Sequence, residues 1–182
     1  MKIINPILPI MDTILGNLTS LQAEGKIRSQ TVERVALEWY ESERNILRKT
    51  TNTGREVAFR LLKEGQRLKH NDVVFISDEL AIVIEILPSE VIVLSPKTLP
   101  EMARACYEIG NKHSPLFLDG DEVTLPYDKP MFEWLEAAGF NPQKAKRRLS
   151  QALRANSAQG HGHSHSHSQG YHHHGDGNWH QH

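Results

Sequence analysis

Two apolar runs, residues 73–76 (VVFI) and 80–86 (LAIVIEI), are rich in β-branched side chains and separated only by Ser77-Asp78-Glu79. So short a link permits only a tight connection, and both runs read as strands of a sheet. The residues before them keep the same rhythm. Val35, Leu37 and Trp39 alternate with Ala36, Glu38 and Tyr40, the period of a half-buried strand. Thr53-Gly54 marks a turn, and residues 56–61 (EVAFRL) alternate again. Residues 31–87 are therefore expected to form a small β domain. Residues 1–30 read as an extension with no assigned role.

Leu87-Pro88-Ser89 punctuates the chain, and the pattern then changes. Residues 90–94 (EVIVL) predict a strand. Pro100 suits the first turn of a helix running to about Lys112, with Met102, Cys106 and Ile109 on one apolar stripe. Residues 115–118 and 122–125 flank Asp119-Gly120 as a hairpin. Residues 130–138 (PMFEWLEAA) predict a second helix, stopped by Gly139. Strand, helix, strand, strand, helix is most of a ferredoxin-like βαββαβ unit, so residues 88–156 are read as a second domain and the fold class as α+β. Residues 143–156 (QKAKRRLSQALRAN) carry basic side chains and no acid, with Leu149 and Leu153 four apart. They predict a short basic helix, either a solvated face or a seat for an acidic partner or nucleic acid.

Bulk properties exclude several classes. The formal net charge of −1 gives no reason to expect a nucleic-acid binder overall. No apolar run approaches the roughly 20 residues of a membrane helix. Residues 1–16 are apolar but interrupted by Pro6, Pro9 and Asp12, without the basic start and small-residue cleavage site of a secretory signal. Cys106 is the only cysteine, which forbids an intrachain disulfide and suits the cytoplasm.

Residues 157–182 are low-complexity Gly, Ser, Gln and His, expected to be disordered when metal-free because they cannot bury enough apolar area to offset chain entropy. Nine of the eleven histidines lie here. His161, His163, His165 and His167 alternate with glycine and serine, which let the backbone curl round an ion. His172, His173 and His174 form a second cluster, and His180 with His182 a third. Neutral imidazole suits Ni2+, Cu2+ and Zn2+, and several on one segment bind far better than one because later ligands arrive at high effective concentration. With no histidine run longer than three, and Tyr171 and Trp179 embedded, the segment does not read as a purification tag. It reads as a metal reservoir.

His113 follows the first helix of the second domain, where a lone histidine is ordinarily an exposed cap. Here Gly110-Asn111-Lys112-His113, with Arg104-Ala105 and Tyr107 upstream and Pro115 downstream, resembles the signature of the urease accessory nickel chaperones, the UreE family. Residues 36–43 (ALEWYESE) and 53–57 (TGREV) match the sheet domain of the same family in type and order, and the resemblance covers roughly residues 30–140. It implies a homodimer of two-domain subunits, with a partner-engaging β domain and a ferredoxin-like domain carrying the metal. It further implies that His113 from both subunits shares one Ni2+ at the dimer interface. The ion would pass to the urease apoprotein complex with the help of an accessory GTPase. Two departures stand out. Tyr127-Asp128-Lys129 lacks the histidine pair that some members carry before the second helix, and the final strand of many members is either missing here or formed by another segment.

An enzyme is the rival class. Cys106 and His113 suggest a thiol and its base, but seven helical positions separate them by about 10.5 Å along the axis, beyond hydrogen-bond reach. Cys106 reads as a packed small apolar residue and His70 as an ordinary surface residue. No nucleotide-binding glycine loop occurs, so energy for metal insertion must come from a partner. The expectation is a metallochaperone without catalytic residues; a histidine-rich nickel or zinc buffer with no delivery role is the alternative.

Overall fold

The computed structural model describes residues 8–63, 66–150 and 152–153 of the 182-residue chain. The first group of elements is β1 (Gly16–Asn17), α1 (Leu18–Ala23), β2 (Thr31–Leu37), β3 (Ile46–Thr50), β4 (Glu56–Arg60), β5 (Asp72–Ile76) and β6 (Leu80–Ile86). They make a four-stranded sheet in the order β1-β5-β6-β2 and a separate β3-β4 hairpin. β2 lies parallel to β6, whereas β1-β5, β5-β6 and β3-β4 are antiparallel.

β6 explains its own composition. Ile82, Ile84 and Ile86 face one buried cluster with Val35, Leu37, Phe59 and Leu61, while Ala81 and Val83 face another with Leu18, Leu21 and Ile27. A strand covered on both faces has no solvent side on which to alternate. Residues 11–30, left without a role by the sequence, supply part of that cover. Met11 is buried and its backbone bonds with Ala58 and Arg60, and β1 pairs with β5. Leu18, Leu21 and Ile27 close the second face.

The second group follows the expected order and then departs from it: β7 (Ser89–Leu94), α2 (Leu99–Asn111), β8 (Phe117–Asp119), β9 (Glu122–Pro126), α3 (Lys129–Ala137) and β10 (Gln143–Arg147). Thr98 caps α2 by accepting from the Glu101 N–H, and Asp128 caps α3 by accepting from the Met131 N–H. One face of the sheet packs on both helices through Ile92, Leu94, Ala105, Ile109, Leu125 and Leu135.

The start of the expected basic helix at residues 143–156 is instead a strand, β10, antiparallel to β7 from Gln143↔Val93 to Arg147↔Ser89. Lys, Arg, Gln and Ala all favour helix locally, but the open edge of β7 offers a full ladder, and that tertiary pairing decides. The alternation is visible in hindsight: Ala145 sits against a buried cluster, while its neighbours Lys144 and Lys146 are exposed. The supposed stripe of Leu149 and Leu153 also splits, with Leu149 buried and Leu153 exposed. The sheet has the order β10-β7-β9-β8, antiparallel throughout.

The two groups touch directly. Trp39, in a turn just past the end of β2, stands edge-on to Phe117 of β8 with ring centroids 5.5 Å apart. The Arg148 Nε donates to the Ile86 carbonyl at 3.0 Å. Among the described residues no helix is long and apolar enough to cross a membrane.

One buried ion pair ties β2 to the β3-β4 hairpin. The Arg55 guanidinium donates to both carboxylate oxygens of Glu33, whose side chain is 6% exposed. Burial pushes the Glu33 carboxyl up, but hydrogen bonds from Arg55, Thr51 and Thr53 outweigh it and hold the group below its ordinary value. A depressed carboxylate stabilises the fold above its unfolded pKa, and that contribution fades as pH falls through the folded value. Arg55→Met strands the buried charge and should cost about 3–5 kcal/mol in urea unfolding at neutral pH. Adding Glu33→Leu should recover most of that loss; an equally unstable double variant would show that Arg55 acts by packing alone.

Candidate metal centre

α2 ends in a double turn-back. The Ser114 N–H reaches the Ile109 carbonyl at 3.4 Å, and the His113 N–H reaches the Gly110 carbonyl at 2.9 Å. This Schellman arrangement requires a left-handed residue after the cap, and glycine ordinarily fills that place. Here it is His113, at φ 55°. An L-residue with a full side chain pays roughly 1–2 kcal/mol for that conformation, so backbone geometry does not select histidine at this position. The imidazole is exposed. The neighbouring Lys112 ammonium lies 4.1 Å from the centre of the Trp134 ring on α3, a cation–π contact that pins the turn to the domain.

Two further features converge on this turn. The solvent face of α2 carries Leu99 and Tyr107, 81% and 68% exposed, with Ala103 exposed between them. Gly110 continues that face, and a Cβ placed there would meet nothing within 4 Å. A glycine inside a helix costs about 1 kcal/mol relative to alanine, and neither crowding nor a positive φ demands one here. Second, Leu116, three residues beyond His113, pairs with Leu153, whose N–H donates to the Leu116 carbonyl at 2.6 Å. The last described residue therefore lies close to the turn that presents His113.

One imidazole is not a metal site, and among the described residues no group of three or more His, Cys, Asp or Glu could hold an ion. Any ion at His113 needs further protein ligands from a second chain or from residues outside those described. The other expected ligands, His161, His163, His165, His167, His172, His173, His174, His180 and His182, lie outside the described residues. Cys106 and His113 are not brought together. The Cys106 thiol faces the Met102 sulfur at 3.9 Å among partly buried apolar side chains, and burial pushes its pKa up.

His70 is not the ordinary surface residue expected. Its half-buried imidazole accepts the Ile86 N–H at Nδ1, 3.3 Å away. No local signal around His70 marks this role, because the partner strand is remote. Gly110, by contrast, could have been flagged as a glycine within a helical pattern.

Residues 11–87 match the family model of the N-terminal domain of the UreE urease accessory protein, and residues 89–182 match that of its C-terminal domain. The chain is 89% identical over 185 aligned positions to the urease accessory protein UreE of Haemophilus influenzae (strain PittGG), covering 100% of both chains. It is 81% identical to that of Actinobacillus pleuropneumoniae, again over 100% of both. To that of Flavobacterium johnsoniae it is 44% identical over 81% of this chain and 90% of the relative.

Replacing His113 with glycine removes the left-handed strain along with the imidazole. His113→Gly should leave the fold intact and raise its unfolding free energy by up to about 1 kcal/mol in thermal or urea melts. A clear loss of stability would mean that the imidazole supports the fold rather than standing free for a ligand.

Proposed function

Given that the chain belongs to the UreE family of urease accessory proteins, which act in urease maturation and are not enzymes, we propose that it delivers Ni2+ to the urease apoprotein from a site that two copies of His113 share. The strand order and antiparallel pairing of the second group of elements support reading it as a ferredoxin-like domain. In the homodimer the exposed face of α2 meets its symmetry mate. Leu99 and Tyr107 supply apolar contact, and Gly110 lets the backbones approach beside the metal. A two-fold axis doubles every ligand, so one exposed imidazole per chain becomes half a coordination shell.

The observation that carries this reading is the Leu116–Leu153 pairing. His161 is eight residues beyond Leu153, and an extended chain spans at most roughly 3.5 Å per residue. The first tail imidazoles can thus range about 28 Å from a root paired with Leu116, three residues from His113, close enough to complete its shell or hand it an ion. The tail collects Ni2+, and Zn2+ or Cu2+ as well, through many exchangeable contacts. His113, on a rigid domain, presents one ion at a fixed position to the urease apoprotein complex and its accessory GTPase in the cytoplasm.

Urease activity reconstituted at limiting nickel, paired with calorimetric nickel titration, separates delivery from storage. His113→Ala should lower activation more than it lowers total nickel bound. Truncation after Asn156 should remove most of the bound nickel and leave about one ion per two chains. If truncation abolishes activation and His113→Ala leaves it untouched, His113 is only a surface histidine.

A further inference from the structure

Several contacts cross the junction between the two groups of elements, Trp39 on Phe117 and the Ser89 hydroxyl on Glu38 among them, and one of them converges on a single residue, Ile86. Ile86 ends β6, and Ser89 begins β7 after Leu87-Pro88. The Ile86 N–H is taken by the His70 imidazole of the first group, and its carbonyl by the Arg148 guanidinium just past β10 of the second. His70 itself is set by a tight turn. The adjoining Asn71 is left-handed at φ 67°, its N–H bonds the Ile84 carbonyl, and its side-chain oxygen accepts from Arg34 at 3.2 Å. The imidazole is thus fixed against the last peptides of β6, with its Nδ1 as the acceptor.

We propose that His70, Ile86 and Arg148 form a proton-sensitive clamp that fixes the second group of elements on the first and releases it when His70 is protonated. To accept from Ile86, Nδ1 must carry no proton, so the neutral ring is the closed form. Protonation turns Nδ1 into a donor facing another donor. It also places a positive ring near two guanidinium groups, Arg148 beyond β10 and Arg34 on β2, with Glu85 on β6 opposing them among the described residues. The acid-induced loss therefore falls on the hydrogen bond and on the neighbouring Arg148 together.

Burial, then Arg148 and Arg34, hold the His70 pKa below its ordinary value, against the pull of Glu85. A histidine depressed in the folded state contributes stability above its unfolded pKa, about 6.5, and loses it as pH falls through the folded value. The clamp is closed at neutral pH and opens on the acid side. Elsewhere across the junction Trp39 stands on Phe117 and the Ser89 hydroxyl donates to Glu38 at 3.5 Å, so release should be felt at both. The orientation of the first group relative to the turn bearing His113 thereby becomes pH-dependent.

The test uses the full-length, metal-free protein with a chelator present, and nuclear magnetic resonance between about pH 7.5 and pH 5. In the wild type one alignment tensor should fit the dipolar couplings of both groups at neutral pH, and two should be needed in acid. The Ile86 amide and the Trp39 indole should shift with the same midpoint as the His70 ring nitrogens. His70→Asn keeps an acceptor oxygen at the Nδ1 position without a titrating group, and should keep a single tensor throughout. Amides of Ile82 and Leu125, deep in each group, report whether either has unfolded. A wild type that keeps one tensor at the acid end, or a His70→Asn variant that separates as the wild type does, overturns the clamp.

Discussion

β6 is covered on both faces, and the rest of the structure depends on how that cover is assembled. Its isoleucines take one side and Ala81 with Val83 the other. Fully burying such side chains contributes about 1.5–3 kcal/mol each, so neither face can be left open. The β3-β4 hairpin with Met11 closes one face, and α1 with Ile27 closes the other. The C-terminal end of the same strand, Ile86, is then where the second group of elements is attached. Burial in the first group thus fixes the platform from which α2 and its terminal turn project.

What was legible in the sequence was local. The runs at 73–76 and 80–86, the Pro100 and Gly139 boundaries of the helices, and the turn at Asp119-Gly120 each carry their cause within a few residues. What was not legible depends on distant partners. Residues 143–147 have good helix formers, and only the free edge of β7 makes them a strand. Met11 and α1 looked like an appendage because the strands they cover come later in the chain. His70 looked like a surface residue for the same reason, its acceptor role being set by Ile86.

The candidate site divides in the same way. His113 stood out through the family signature around it, and the backbone gives an independent physical reason to single it out. A left-handed histidine in a glycine position is strained, and strain of this kind persists where the surroundings enforce it. The bare face of α2, the vacant space at Gly110 and the root of the tail at Leu153 were invisible to periodicity alone. Together they convert an inadequate single ligand into an arrangement that can be completed from a second chain and from a segment tethered nearby.

The sharing of one ion by two His113 side chains is tested most directly by X-ray absorption at the nickel edge, on protein truncated after Asn156 and loaded with one ion per two chains. Only His70 and His113 remain as histidines in that form, and the His70 ring is engaged at Ile86. The shared site predicts about two imidazoles per nickel, lost when His113→Ala is introduced into the same truncated chain. A first shell without imidazole, or one unchanged by His113→Ala, would contradict it.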